Sequence, residues 1–447
     1  MKLFNTLKLK FEKEDWKNNQ DFCLIDTILE QHPEIYNILM GEIIEDGKES
    51  TLGRQDTPSV EQIVRAAIYK EMKSLDYREL AYAQIDSRIC ATFIKLDDRK
   101  PFSFQLFQSY ISKIKASSLQ KVLVTINKIA IEEGYEDIEK VSQDSTIVKA
   151  NIHYPTNNSL VWDCIKESHR LLEHLKKEMS SMSYRDYLKT SKKTFFKINN
   201  TKSKDIRVDL FNKQLITFTK VINEVSNAIK KKSGRILAIG IQMSLEKLAP
   251  LLDQVYSMTY RKEILGESVP NDEKIFSIYE LHTDIIVKGG REVLFGHKIN
   301  LATGKSNMIL DCEVLQGNPS DSTLYQPTIE RVVENYNITP RDSSTDGGYA
   351  SLLNMEYGKQ KGITNIVFNK IVGSMKNIVS SLSMETRLKK WRSGIEAVIS
   401  NLKRGYDLRI CSWKGWEHFQ AKVLWSVLAY NFRVLTAHTI NKIARLE

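Results

Sequence analysis

A change of side-chain period part-way along the chain restricts the fold more than any other feature. The run Ile138-Glu-Lys-Val141-Ser-Gln-Asp144-Ser-Thr-Ile147-Val148 is short, β-branched and bounded by polar residues, which reads as a strand. Helical text precedes it. A Lys-rich helical block follows from Leu160 to about Arg261, long enough for three or four helices. Strand text resumes at Leu281–Val287, Val293–Ile299 and Met308–Leu315, with Gly289-Gly290 and Thr303-Gly304 as turn signals. This order describes an antiparallel three-strand meander. Strands interleaved with helices make the fold class α/β.

Capping patterns place the remaining helices. Thr57-Pro58 and the Ser59/Gln62 spacing are two alternative starts for a helix carrying Val60, Val64, Ala67, Ile68 and Met72. Asp76 and Glu79 repeat the capping box for a second helix, Ser103 precedes a third, and Leu119–Ile131 reads as a fourth. Residues 1–55 give no clear pattern. Downstream, helices are predicted at about Leu324–Tyr336 and over the last 60 residues, with an apolar strand at Ile363–Phe368. The first 135 residues read as a small helical domain, and the block from Leu160 to about Arg261 as a separate run of basic helices.

Charge points to the partner. The 447-residue chain carries a formal net charge of +10, unevenly spread. Lys166–Arg235 holds 18 Lys/Arg against 7 Asp/Glu, and Lys376–Glu447 holds 13 against 5, so the remainder is net acidic. Two basic segments are the electrostatic footprint of a polyanion. A 42% hydrophobic fraction excludes a disordered chain. No apolar run reaches the roughly 18 residues of a membrane helix. The start, Met1-Lys2-Leu3-Phe4, leads into mixed charge, so no secretory signal is expected. The five cysteines are widely spaced, which speaks against a disulfide scaffold or zinc knuckle and for a reducing cytoplasm.

Three carboxylates stand out by position. Asp144 lies mid-strand, where a charge is costly unless paired or bound to a metal. Asp346 ends a strand and is followed by Gly347-Gly348; such ends face crevices in α/β sheets. Glu396 lies on a helix with Ile395, Ile399 and Leu402. At about 100° per residue, Arg392, Glu396 and Lys403 share one edge of its apolar face. That is either a surface ion pair at i, i+4 or an acid flanked by two phosphate-gripping cations. Carboxylates on two strands and a helix are what a two-metal phosphoryl site needs, since Mg²⁺ prefers oxygen ligands. Thr303-Gly304-Lys305-Ser306 imitates a phosphate loop, but Ile299 replaces its first glycine, so nucleotide hydrolysis is rejected. There is no HExxH and no G-x-S-x-G.

The ordered motifs carry a resemblance. Asp144-Ser-Thr-Ile-Val-Lys-Ala-Asn-Ile-His-Tyr-Pro-Thr-Asn resembles the first-aspartate motif of bacterial insertion-sequence transposases of the DDE class. His282-Thr-Asp-Ile-Ile-Val-Lys-Gly, Gly296-His-Lys-Ile-Asn-Leu and Gly317-Asn-Pro-Ser-Asp resemble the sheet that follows and its exit loop. Ser344-Thr-Asp346-Gly-Gly-Tyr-Ala resembles the second-aspartate motif, and Arg392-x3-Glu396-x6-Lys403 resembles part of the third. The likeness covers about 60–447 and is nearest the ISNCY-type group. Lys389 stands where many relatives place a tyrosine.

The resemblance implies a ribonuclease-H-like catalytic core, a mixed sheet with flanking helices built from 136–156 and 264–447, behind a helical N-terminal domain over 1–135 and interrupted after the first strand by a basic helical insertion over 157–263. It also implies Mg²⁺, with Mn²⁺ as substitute, as two ions held by Asp144, Asp346 and Glu396, and DNA phosphates held by Arg392 and Lys403. Transposon ends would be cut and joined to target DNA by a homodimer on DNA, in the cytoplasm with the nucleoid, with no membrane and no nucleotide cofactor. The N-terminal domain would bind the transposon end. The alternatives are a metal-dependent nuclease without strand transfer, or a catalytically inactive DNA-binding regulator.

Overall fold

The β-branched run becomes the centre of the sheet. In the computed structural model, which describes residues 19–44, 57–96, 100–288, 292–371 and 373–443, strand β1 spans Lys140–Ala150. The Gly289-Gly290 turn lies outside the described residues. The further strands are β2 (Asp284–Lys288), β3 (Glu292–Thr303), β4 (Ile309–Val314), β5 (Asp342–Thr345), β6 (Asn365–Phe368) and β7 (Ile410–Cys411). Their order is β2-β3-β1-β5-β6, with β4 also on β3 and β7 also on β1. β1 is antiparallel to β3, and β3 to β4; β1 is parallel to β5 and β7, and β5 to β6. The fold is thus mixed α/β with a seven-stranded mixed sheet.

Among the described residues the chain divides into two compact units. The first comprises Met1–Asn151 and Gly296–Glu447. Its helices are α1 (Gln20–Gln31), α2 (Glu34–Ile43), α3 (Val60–Met72), α4 (Tyr77–Asp86), α5 (Arg88–Phe93), α6 (Phe104–Ile111) and α7 (Ala116–Glu132) before β1. After the sheet begins come α12 (Asp321–Tyr336), α13 (Leu352–Gln360), α14 (Leu382–Gly405) and α15 (Trp416–Ile443). Of the two possible starts for α3, the chain uses Ser59: its hydroxyl accepts from Gln62 N, and Gln62 returns a bond to Ser59 N. Asp76 and Glu79 close the same box on α4.

The boundary expected after residue 135 does not separate two cores. Helix α15 explains why. From Val423 to Leu428 almost every side chain is buried, Trp425 and Ser426 included, so the helix is enclosed on all sides. It packs on α1, α3 and α7 as well as on β4. One hydrophobic core therefore joins Phe22, Ile68 and Leu123 of the N-terminal helices to Val148, Ile299, Ile395 and Trp425. A second core, with Val141, Leu310, Tyr325 and Phe368, fills the opposite face under α12 and α13.

The second unit, Ile152–Phe295, contains α8 (Asn157–Glu178), α9 (Leu188–Asn200), α10 (Lys204–Lys230) and α11 (Ile236–Thr259). They share their own core, including Leu172, Phe218 and Leu252, which extends to Val269, Ile275 and Ile278. The unit thus runs beyond the 157–263 expected for the insertion.

Candidate active site

Strand register brings the first two aspartates together. Gln143 of β1 stands opposite Thr345 of β5, and the strands are parallel. The next residue on each is Asp144 and Asp346, so two carboxylates leave neighbouring strands at one level. Asp346 keeps an extended backbone, with φ −71° and ψ 164°. Close packing against backbone requires the first of the two glycines after it, and the second lies against a side chain. A Cβ on Gly347 would overlap the carbonyl oxygen of Asn369, and one on Gly348 would lie 2.9 Å from Asp321 Oδ2.

The third carboxylate arrives on α14, which lies against β1, β5 and β6. Ile395, Val398 and Leu402 are buried on that side, and Ser344 Oγ of β5 donates to Leu388 O at 3.2 Å. Arg392 sits between the acids. Its Nη2 donates to Glu396 Oε1 at 2.6 Å, and its Nη1 lies 3.8 Å from Asp144 Oδ2. The Arg392 side chain is only 8% exposed, whereas that of Glu396 is 59% exposed. One buried guanidinium thus links the first and third carboxylates. Lys403 lies in the last turn of α14, partly buried. Lys389 pairs with Glu385 at 2.7 Å, as a surface lysine would.

The electrostatics reveal a fourth acid that sequence reasoning missed. Burial pushes the Asp144 carboxyl up to about 6; the Ser145 amide and Arg392 oppose this, while Asp346 and Asp321 add to it. Tyr349, fully buried, is pushed up by burial and then by the same three aspartates. Asp321 had been read only as the end of the exit loop Gly317-Asn-Pro-Ser-Asp. The signal available was its place at a helix start just after a sheet strand.

Most of these residues fall in one recognisable stretch. Residues 286–432 match the family described as Transposase DDE domain. The match holds Asp321, Asp346, Arg392, Glu396 and Lys403, covers about a third of the chain, and supports a transposase-type enzyme of the DDE class. Asp144 lies before the matched DDE domain and joins it through the sheet. No curated protein and no solved structure matches the chain.

The donor chemistry at Asp144, Asp346 and Glu396 fits a hard divalent cation: oxygen donors only, with like charges crowded around a partly buried Asp144. The side chains are not drawn together for it. Among the described residues no three His, Cys, Asp or Glu side chains converge closely enough to hold a metal ion. Glu396 is instead held by Arg392.

The decoy loop also has a structural explanation. The amides of Lys305 and Ser306 point at the Glu136 carboxylate, at 3.0 Å each, and the Ser306 hydroxyl donates to it as well. A phosphate would have to displace a buried anion that already fills this nest. His297 is buried between the rings of Trp416 and Phe419, at 4.7 and 4.9 Å. His153 and His282 belong to the second unit, where they face Asp163 at 3.3 Å and Glu280 at 2.8 Å.

Proposed function

We propose that this protein is a DNA transposase of the ISNCY-type group, with a ribonuclease-H-like core that cleaves transposon ends and transfers them into target DNA. The observation that carries the reading is the placement of Asp144 and Asp346 side by side on parallel strands, with α14 bringing Arg392 and Glu396 to them, in and beside a stretch matching the transposase DDE domain. Asp144, Asp346 and Glu396 would hold the metal. Two Mg²⁺ ions, with Mn²⁺ as substitute, would supply activation of the attacking oxygen and charge stabilisation at the leaving oxygen.

The chain's own residues do the rest. Arg392 gives up Glu396 to the metal site and turns its charge toward a phosphate. Lys403, further along the same helix, holds a neighbouring phosphate. The partial burial of Asp144 limits the water that reaches that one carboxylate. The basic helices of the second unit, which carry most of the Lys166–Arg235 charge, grip the DNA backbone. Helices α1 to α7 recognise the transposon end. Two copies of the chain bring two ends together, which places the protein with the nucleoid in the cytoplasm. Among the described residues no helix is long and apolar enough to cross a membrane.

Cleavage of DNA carrying the element's own ends, with Mn²⁺ supplied, tests this reading. Wild type is expected to cut at the end, while Asp144→Asn, Asp346→Asn and Glu396→Gln bind the DNA without cutting it. Cleavage without joining would leave a nuclease, and binding without cleavage by wild type would leave a regulator.

A further inference from the structure

Side chains alternate along β1, and the face opposite to Asp144 carries a polar layer. Ser145 stands across from Asn300 of β3. Asn300 Nδ2 donates to Thr328 Oγ1 at 2.9 Å, and Tyr349 Oη donates to Asn300 Oδ1 at 2.6 Å. Asn300, Thr328 and Tyr349 are all buried. Asp321, the first residue of α12, closes this layer. Its Oδ1 accepts from Ser145 Oγ at 2.9 Å and from Lys298 Nζ at 3.1 Å. Its Oδ2 faces the backbone of Gly348.

An aspartate in a first helical turn is commonplace, because it complements the helix dipole. That accounts for the residue type but not for where this carboxylate reaches. It bonds to β1 one residue after Asp144 and to β3 through Lys298, and it lies beside Gly348, two residues after Asp346. Its pairing with Lys298, whose side chain is 12% exposed, offsets part of its charge but still leaves a third carboxylate beside two others. Repulsion of that kind is useful where a cation must be attracted.

We propose that Asp321 is a positioning residue of the DDE site: acting through Ser145 and Gly348, it sets the spacing of Asp144 and Asp346 and strengthens their hold on a divalent cation. The inference rests on the metal-dependent reading above. Residues behind metal ligands orient them, and their loss typically costs about 10–100-fold in metal affinity.

The test is binding of Mn²⁺ alone to the full-length protein, followed by electron paramagnetic resonance. Wild type is compared with Asp321→Asn, which keeps the shape and loses the charge, and with Ser145→Ala, which removes one hydroxyl. Affinity for end DNA and melting temperature are measured on the same samples. Asp321→Asn is expected to bind Mn²⁺ about 10-fold or more weakly, and Ser145→Ala less markedly so, with DNA affinity unchanged in both. If Asp321→Asn fails to fold, Ser145→Ala decides alone. Wild-type Mn²⁺ affinity in the folded variants overturns the role of Asp321 and leaves the metal site standing. Absence of Mn²⁺ binding by wild type overturns the metal reading and this inference with it.

Discussion

Asp144 concentrates the conflict between stability and function. Burial, before any neighbour, pushes its carboxyl up to about 6. A carboxyl raised in the folded state stabilises the fold below its unfolded pKa and loses that contribution as pH rises through its folded pKa. In metal-free protein above about pH 6, the ionised form should therefore cost about 1–3 kcal/mol. Asp144→Asn is predicted to raise the melting temperature of metal-free protein at about pH 8 and to leave it nearly unchanged at about pH 4. Equal melting temperatures at both pH values would show that Asp144 is better solvated than its surroundings indicate. The sequence made this residue visible, because a carboxylate in the middle of a strand is an anomaly with few explanations. Asp321 was hidden for the opposite reason. An acid at a helix start is ordinary in sequence, and only the register of β1 against β3 shows what it touches.

Among the elements, those with a local pattern were legible. The capping boxes of α3 and α4, the β-branched β1 and the meander β3–β4 all declare themselves within a few residues. What stayed hidden was partnership between distant segments. Helix α15 reads as helical in the sequence, but the unbroken burial of its residues 421–432 shows only in three dimensions, and with it the core shared by N-terminal helices and sheet. Part of that join is ionic. Glu71 of α3 is buried between Lys70, at 2.8 Å, and Lys422 of α15. Burial works to raise the Glu71 pKa, but Lys422 and Lys70 prevail and hold it below the usual carboxylate range. A depressed carboxylate stabilises the fold above its unfolded pKa and loses that as pH falls through the folded one. Glu71→Gln leaves two buried lysines uncompensated and should cost about 3–5 kcal/mol at neutral pH. Urea unfolding should show the loss at pH 7 and a smaller one under acid; no loss at pH 7 would mean that the pair does not join α3 to α15.

At the scale of the whole molecule, the chain forms two units with separate cores. Separate cores of this size generally unfold as separate cooperative steps. Calorimetry of the full chain is expected to resolve two transitions, and Phe218→Ala in the second unit should lower one of them alone. A single transition that moves as a whole would show that the cores are coupled. The catalytic claim belongs to the first unit, and its most direct test is joining. A labelled, pre-cut transposon end, taken from the DNA flanking the coding sequence, is incubated with plasmid and Mg²⁺ or Mn²⁺. Wild type is set beside Asp144→Ala, Asp346→Ala and Glu396→Ala. Joined product from wild type, lost in all three variants while each still binds the end, is the predicted result. Joining that survives loss of Asp144 or Asp346, or no joining by wild type where a control transposase succeeds, would contradict it.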